Sequence, residues 1–81
     1  MATKSQHAPG YGLLPGLLRK MREEAGLTQR ELGKRLAKPQ SWVHNCETLN
    51  RRVDVPEFAA WCEACDVPPL DGMARFLNSC R

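Results

Sequence analysis

Cys62-Glu-Ala-Cys65 is the segment whose residue types and spacing most directly invite chemistry. A C-x-x-C can present two thiolates to zinc or undergo thiol–disulfide exchange. With Cys46 and Cys80 the chain holds four cysteines, an even number. A thioredoxin-like motif needs a preceding strand, however, and none is visible. The neighbouring residues instead follow helical spacing, which puts Cys62 and Cys65 at inward positions where reduced thiols act as small hydrophobes. Cys80, near the chain end, would oxidise between subunits only as an artefact. His7 and His44 are the two histidines. No Ser, His and Asp arrangement can be argued, and no Gly-rich phosphate loop precedes a helix. The chain therefore reads as a non-enzyme, with no catalytic residue, metal or cofactor expected.

A different chemistry lies between residues 38 and 52. Gln40 and Asn45 each carry an amide with both donor and acceptor, which matches adenine N6 and N7, and Ser41 can donate to a phosphate or a base. Lys38 and Arg51 flank this set, where cations would hold phosphates and set register without conferring sequence preference. Lys34, Arg35 and Arg52 are further cations in the same stretch. His44 has two roles open to it, contact with a phosphate or base with a mild pH dependence, or plain solvent exposure. Trp42 likewise either covers the edge of the core or presses its indole against a nucleic-acid backbone. Charge supports the location. Residues 19 to 52 hold nine Lys and Arg against four Glu, net +5, while residues 53 to 81 hold two Arg against five acids, net −3. Lys4 completes the total of +3. The middle of the chain is thus the part suited to a polyanion.

Helices must position these groups. Residues 1–12 contain Pro9, Gly10 and Gly12 without periodicity and read as a flexible N-terminal arm. Leu14, Leu17, Leu18, Met21 and Ala25 mark a first amphipathic helix from Leu13, ended by a left-handed Gly26 with Leu27 folding back. Thr28-Gln-Arg-Glu31 is a capping box for a second helix, with Leu32, Gly33 and Leu36 inward. Gly33 costs about 1 kcal/mol against Ala there, which makes sense where another helix crosses very close to it. Lys38-Pro39 breaks the pattern, Pro39 suits the first position of a third helix, and Val43 and Cys46 face inward. Two short helices about three residues apart are the signature of a helix-turn-helix. Asp54-Val-Pro-Glu57 starts a fourth helix with Phe58, Ala59, Cys62 and Cys65 on one face. After Asp66-Val-Pro-Pro69, residues Leu70, Met73 and Leu77 mark a fifth, with Phe76 flanking the stripe. The expected fold class is all-α, with a domain over residues 13–78 and a short tail at 79–81.

Eighty-one residues, 42% hydrophobic and 6% aromatic, make one small domain. A chain this short buries only about 60% of its extended surface, which favours a binding module over a pocketed enzyme. The apolar runs are too short to span a bilayer, and residues 1–12 lack the order of a signal peptide, so a cytoplasmic location with no membrane contact is expected.

In order and spacing, Leu17-Leu-Arg-Lys-Met-Arg22, Gly26-Leu-Thr-Gln-Arg-Glu-Leu32, then Leu36, Ser41, Val43 and Glu47, and Arg51-Arg-Val-Asp-Val-Pro-Glu-Phe58 resemble the lambda-repressor-like DNA-binding family of Cro/cI or XRE type. The resemblance covers about residues 13 to 77 and implies a compact five-helix domain whose third helix enters the major groove. By that resemblance Gln40, Ser41 and Asn45 read base edges; His44 beside them is a further candidate on its chemistry alone. By the same resemblance Gln29 anchors a phosphate and braces the first recognition-helix side chain; Lys38, Arg51 and Trp42 are candidate phosphate contacts on their own chemistry, outside the resemblance. Arg22 and Glu47 match a partly buried ion pair. Two positions depart from the pattern: His44 stands where a small hydroxyl residue is common, and Leu49 where Gly is usual. The implied function is a transcriptional regulator, a repressor, acting as a homodimer on double-stranded DNA with a pseudo-palindromic operator. Leu70, Met73, Phe76 and Leu77 are the candidate dimer surface. Two alternatives stay open: an antitoxin whose acidic tail faces a basic toxin while it autoregulates its promoter, and a helix-turn-helix used only for protein contact.

Overall fold

Thr28 and Asp54 each start a helix through a reciprocal pair of hydrogen bonds. Thr28 Oγ1 accepts from the Glu31 amide at 3.0 Å, and Glu31 Oε1 accepts from the Thr28 amide at 2.8 Å. Asp54 Oδ1 accepts from the Glu57 amide at 2.8 Å, and Glu57 Oε1 accepts from the Asp54 amide at 3.0 Å. Both capping boxes are those expected from the sequence. The computed structural model describes residues 9–80. They form α1 (Pro9–Glu24), α2 (Gln29–Leu36), α3 (Gln40–Glu47), α4 (Val55–Ala64) and α5 (Pro69–Ser79). Among the described residues there is no strand, and the fold is all-α.

Two starts differ from expectation. Among the described residues α1 runs from Pro9, further back than the expected Leu13. The helix therefore already includes residues 9–12, which their Pro and Gly content assigned to the arm. Residues 1–8 of that arm, with Lys4 and His7, lie outside the described residues, as does Arg81 of the tail. Pro39 is the N-cap of α3, not its first residue. Its backbone is extended (φ −68°, ψ 158°) and its carbonyl accepts from the Trp42 amide at 3.0 Å.

The first four helices end alike. An amide just beyond each helix bonds back to a carbonyl five residues earlier: Leu27 to Arg22 at 3.2 Å, Lys38 to Gly33 at 2.8 Å, Asn50 to Asn45 at 3.0 Å and Val67 to Cys62 at 2.8 Å. Each closure turns on one left-handed residue, Gly26 (φ 74°), Ala37 (57°), Leu49 (66°) and Asp66 (62°). Only the first is glycine. The Leu49 departure thus leaves the chain path of a glycine turn in place, at the cost of a Cβ in a conformation that crowds it.

α2 packs on α3, α1 on α3 and α5, and α4 on α2 and α5. The core they enclose holds Leu17, Leu18, Met21, Leu32, Val43, Cys46, Phe58, Trp61, Cys62 and Cys65. Trp61 is its largest fully buried side chain, and its indole N–H donates to the Leu18 carbonyl at 3.1 Å. The expected face of α4 omitted it, giving Ala59 instead, which is only half-buried. Burial raises the Cys46 and Cys62 thiols and pushes Cys65 up to about 11, which disfavours the thiolate needed for metal or redox work. Among the described residues no cluster of three His, Cys, Asp or Glu could hold a metal ion, and no helix is long and apolar enough to cross a membrane.

The close approach at Gly33 comes from the turn, not from another helix: a Cβ there would lie 2.6 Å from the Lys38 carbonyl oxygen. Gly72 plays the corresponding part in α5, where a Cβ would run into Cys62 Sγ. Seating Gly72 against α4 fixes the rotation of α5. Met73 and Phe76 then rest half-buried on the core, whereas Leu70 (85% exposed) and Leu77 (53%), of the same apolar stripe, face solvent.

These two small residues have opposite expected effects in urea melts. Ala37→Gly relieves the left-handed strain against a smaller gain in unfolded-chain entropy and should stabilise by about 0.5–1 kcal/mol. Gly72→Ala should destabilise by about 1–3 kcal/mol through overpacking.

Candidate nucleic-acid interface

An arginine on α1 and a glutamate on α3, 25 residues apart, meet in the interior. Arg22 Nε donates to Glu47 Oε2 at 2.6 Å and its Nη2 donates to Oε1 at 3.0 Å. Nη1 donates to the Leu27 carbonyl at 2.8 Å, so the same guanidinium also holds the chain between α1 and α2. The hydrogen bonds that Arg22 donates to Glu47, ahead of the carboxylate's charge, raise the Arg22 pKa. Arg22 and Glu47 thus pair in the interior, more deeply than the partly buried pair the resemblance implies.

From Glu47 the bonding continues outward. Gln29 Nε2 donates to Glu47 Oε1 at 3.0 Å, and Gln40 Nε2 donates to Gln29 Oε1 at 2.7 Å. Four side chains thus run from the interior to the exposed first residue of α3. Gln40, Ser41 and His44 are exposed and Asn45 is half-buried beside them. Val43, Cys46 and Glu47 on the opposite side are buried. The structure therefore brings the four expected base-reading residues onto one outward face of α3, with Gln29 half-buried at its edge and Lys38 exposed in the preceding turn.

Trp42 and Arg51 sit differently. Trp42 is half-buried against the core, its ring centroid 6.2 Å from that of Trp61 at an interplanar angle of 37°. Lys38 Nζ lies 5.3 Å and Arg51 Cζ 4.9 Å from the Trp42 centroid. Core packing, one of the two roles left open for Trp42, is the one its burial fits. Arg51 pairs with Glu57 through two 3.0 Å bonds and donates to the Arg52 carbonyl at 2.6 Å. That pair was not legible in the sequence. Its partners lie six residues apart across an irregular turn, a separation that no periodicity flags. Glu57 was legible only as half of a capping box. Arg35 was another unassigned cation, and it donates to the Ala64 carbonyl at 2.8 Å.

A short helix with an amide-rich outer face, crossing a second helix after a three-residue turn and locked to the core at its far end, defines a helix-turn-helix domain. Helices so placed enter the major groove of DNA. The comparisons agree. The helix-turn-helix domain family matches residues 14–76. The chain is similar to a solved structure described as an XRE-family like protein from Pseudomonas syringae pv. tomato str. DC3000. The two share 38% identity over 89% of this chain and 88% of that one, with a TM-score of 0.81. The chain belongs to the XRE-type helix-turn-helix family. No curated protein matches it.

Removing one member of the buried ion pair strands the other charge, so Arg22→Met should cost about 3–5 kcal/mol in chemical denaturation. Adding Glu47→Leu to it should restore much of that loss, because the double variant leaves no buried charge unpaired.

Acid should act through Glu57. Its hydrogen bond from Arg51, then that from the Asp54 amide, holds its carboxyl below the ordinary value of 4.5. A depressed folded pKa stabilises above the unfolded value and is lost as pH falls through the folded one. Thermal stability should therefore drop below about pH 4.5, and Glu57→Gln should flatten that part of a melting-temperature profile.

Proposed function

We propose that this chain is a sequence-specific transcriptional regulator, acting as a repressor by occupying a pseudo-palindromic operator in double-stranded DNA. The observation that carries this reading is the chain of bonds Arg22–Glu47–Gln29–Gln40. It preorients an amide on the exposed face of α3, which is what reading a base edge requires. Gln40, Ser41, His44 and Asn45 contact bases, while Gln29 and Lys38 hold phosphates and set the register.

A repressor of this kind reads two half-sites, so it acts as a homodimer. Leu70 and Leu77, seven residues apart on the outer side of α5, are the exposed apolar groups that support this. Met73 and Phe76 support packing inside the protomer instead. Two such protomers would place their recognition helices about 34 Å apart, one turn of DNA.

Selection of duplexes from a random pool at two salt concentrations tests the proposal. An inverted repeat should emerge, with affinity falling steeply as salt rises. Gln40→Ala and Asn45→Ala should each lose about 1–3 kcal/mol at one base position per half-site. A selected pool with no shared sequence would sink the reading, and intact partner binding by those two variants would point to the protein-contact alternative.

A further inference from the structure

Arg51 has the place in the chain of a phosphate contact, just after the recognition helix, but not the surroundings of one. Two of its nitrogens bond both oxygens of Glu57, and Nη1 also bonds the Arg52 carbonyl. Three of the five guanidinium N–H groups are thereby committed within the protein. The carboxylate that takes two of them cancels the charge a phosphate would feel, and it is itself fixed at the head of α4 by the Asp54 amide. The guanidinium lies over Trp42 of α3. Trp42 in turn leans on Trp61, whose indole is bonded to α1. Lys38 approaches the same ring with its ammonium group on an exposed residue.

We propose that Arg51 is a positioning residue for the DNA-reading face rather than a contact to DNA: clamped by Glu57, it presses Trp42 onto Trp61 and so sets the tilt of α3. Ser41 adjoins Trp42 in that helix and shares its outward face with Gln40, His44 and Asn45, so the clamp holds these residues at the angle at which they meet base edges. The inference rests on the DNA-binding function proposed above. It separates two cations that look equivalent in the sequence. Lys38 supplies affinity and salt dependence, and Arg51 supplies discrimination.

Three variants of the full chain test this: Arg51→Met, Arg51→Lys and Lys38→Met. Each is titrated with the selected duplex and with a scrambled one over a range of salt. Lys38→Met should flatten the plot of log K against log salt by about 0.9 and leave the preference between duplexes intact. Arg51→Met should leave that slope unchanged and reduce the preference about 10-fold. Arg51→Lys keeps the charge but cannot pair bidentately, so it should behave like Arg51→Met. Both Arg51 variants should also increase acrylamide quenching of tryptophan fluorescence, a readout that needs no DNA. A slope flattened in Arg51→Met, a wild-type preference in Arg51→Lys, or unchanged quenching would each overturn the inference. If the unmodified protein prefers no duplex, the DNA-binding function fails instead, and the quenching still decides the clamp.

Discussion

A charge pair taken out of water governs this small domain. Arg22 and Glu47 are the buried charged residues among those described, and each would be costly alone. Their geometry answers that cost. Glu47 Oε2 accepts from Arg22 Nε, Oε1 accepts from both Arg22 Nη2 and Gln29 Nε2, and Arg22 Nη1 finds the Leu27 carbonyl. No buried side-chain nitrogen or oxygen among the described residues lacks a partner. Such an arrangement tolerates little sliding, because a shift of one helix by a turn would leave both charges unpaired. Apolar contacts between α1 and α3 are less particular, since hydrophobic burial is roughly proportional to area and indifferent to direction. The pair therefore specifies where α3 sits, and the amide bonds to Gln29 and Gln40 carry that placement to the surface.

Helix starts were more legible than helix rotations. Thr28 with Glu31 and Asp54 with Glu57 announce themselves because a capping box is local: residue types and spacing contain the whole interaction. Gly26 is equally plain. Ala37, Leu49 and Asp66 adopt the same left-handed conformation without the residue that signals it. There the tertiary path of the chain overrides local preference, and the amide bonds closing each turn hold it. Pro9, Gly10 and Gly12 hide the early part of α1 for a related reason, since such residues signal a loop more strongly than a helix.

The rotation of α5 could not have been read from its own pattern. Leu70, Met73 and Leu77 make a helical stripe by spacing, yet the deciding contact is Gly72 against Cys62 and Phe58, ten and fourteen positions away in the sequence. A glycine carries no hydrophobic signal, so a reading based on apolar periodicity passes over the residue that sits deepest. Trp61 was hidden differently. On a helix as apolar as α4 several faces look inward, and only the Leu18 carbonyl gives the indole N–H its place. In the candidate interface the amides on α3 were legible because an eight-residue helix leaves few choices of face, whereas the partner of Arg51 was not.

The opposition of charge between the two parts of the sequence also changes meaning once the chain is folded. Arg51 of the basic stretch pairs with Glu57 of the acidic one at 3.0 Å, and Arg35 lies 3.9 Å from Asp66. In the other direction, Glu24 of the basic stretch receives two hydrogen bonds from Arg75, at 3.0 and 3.2 Å. Part of the asymmetry is thus spent inside the molecule, tying α2 and the turn after α3 to α4, and α1 to α5. Counting cations along a sequence overstates what a polyanion would meet, because a guanidinium facing a carboxylate presents little net field beyond a Debye length. What matters at the surface is which cations the fold has left facing outward beside α3. Lys38, two residues ahead of that helix, is exposed, whereas the guanidinium of Arg51, four residues past its end, is turned toward Glu57.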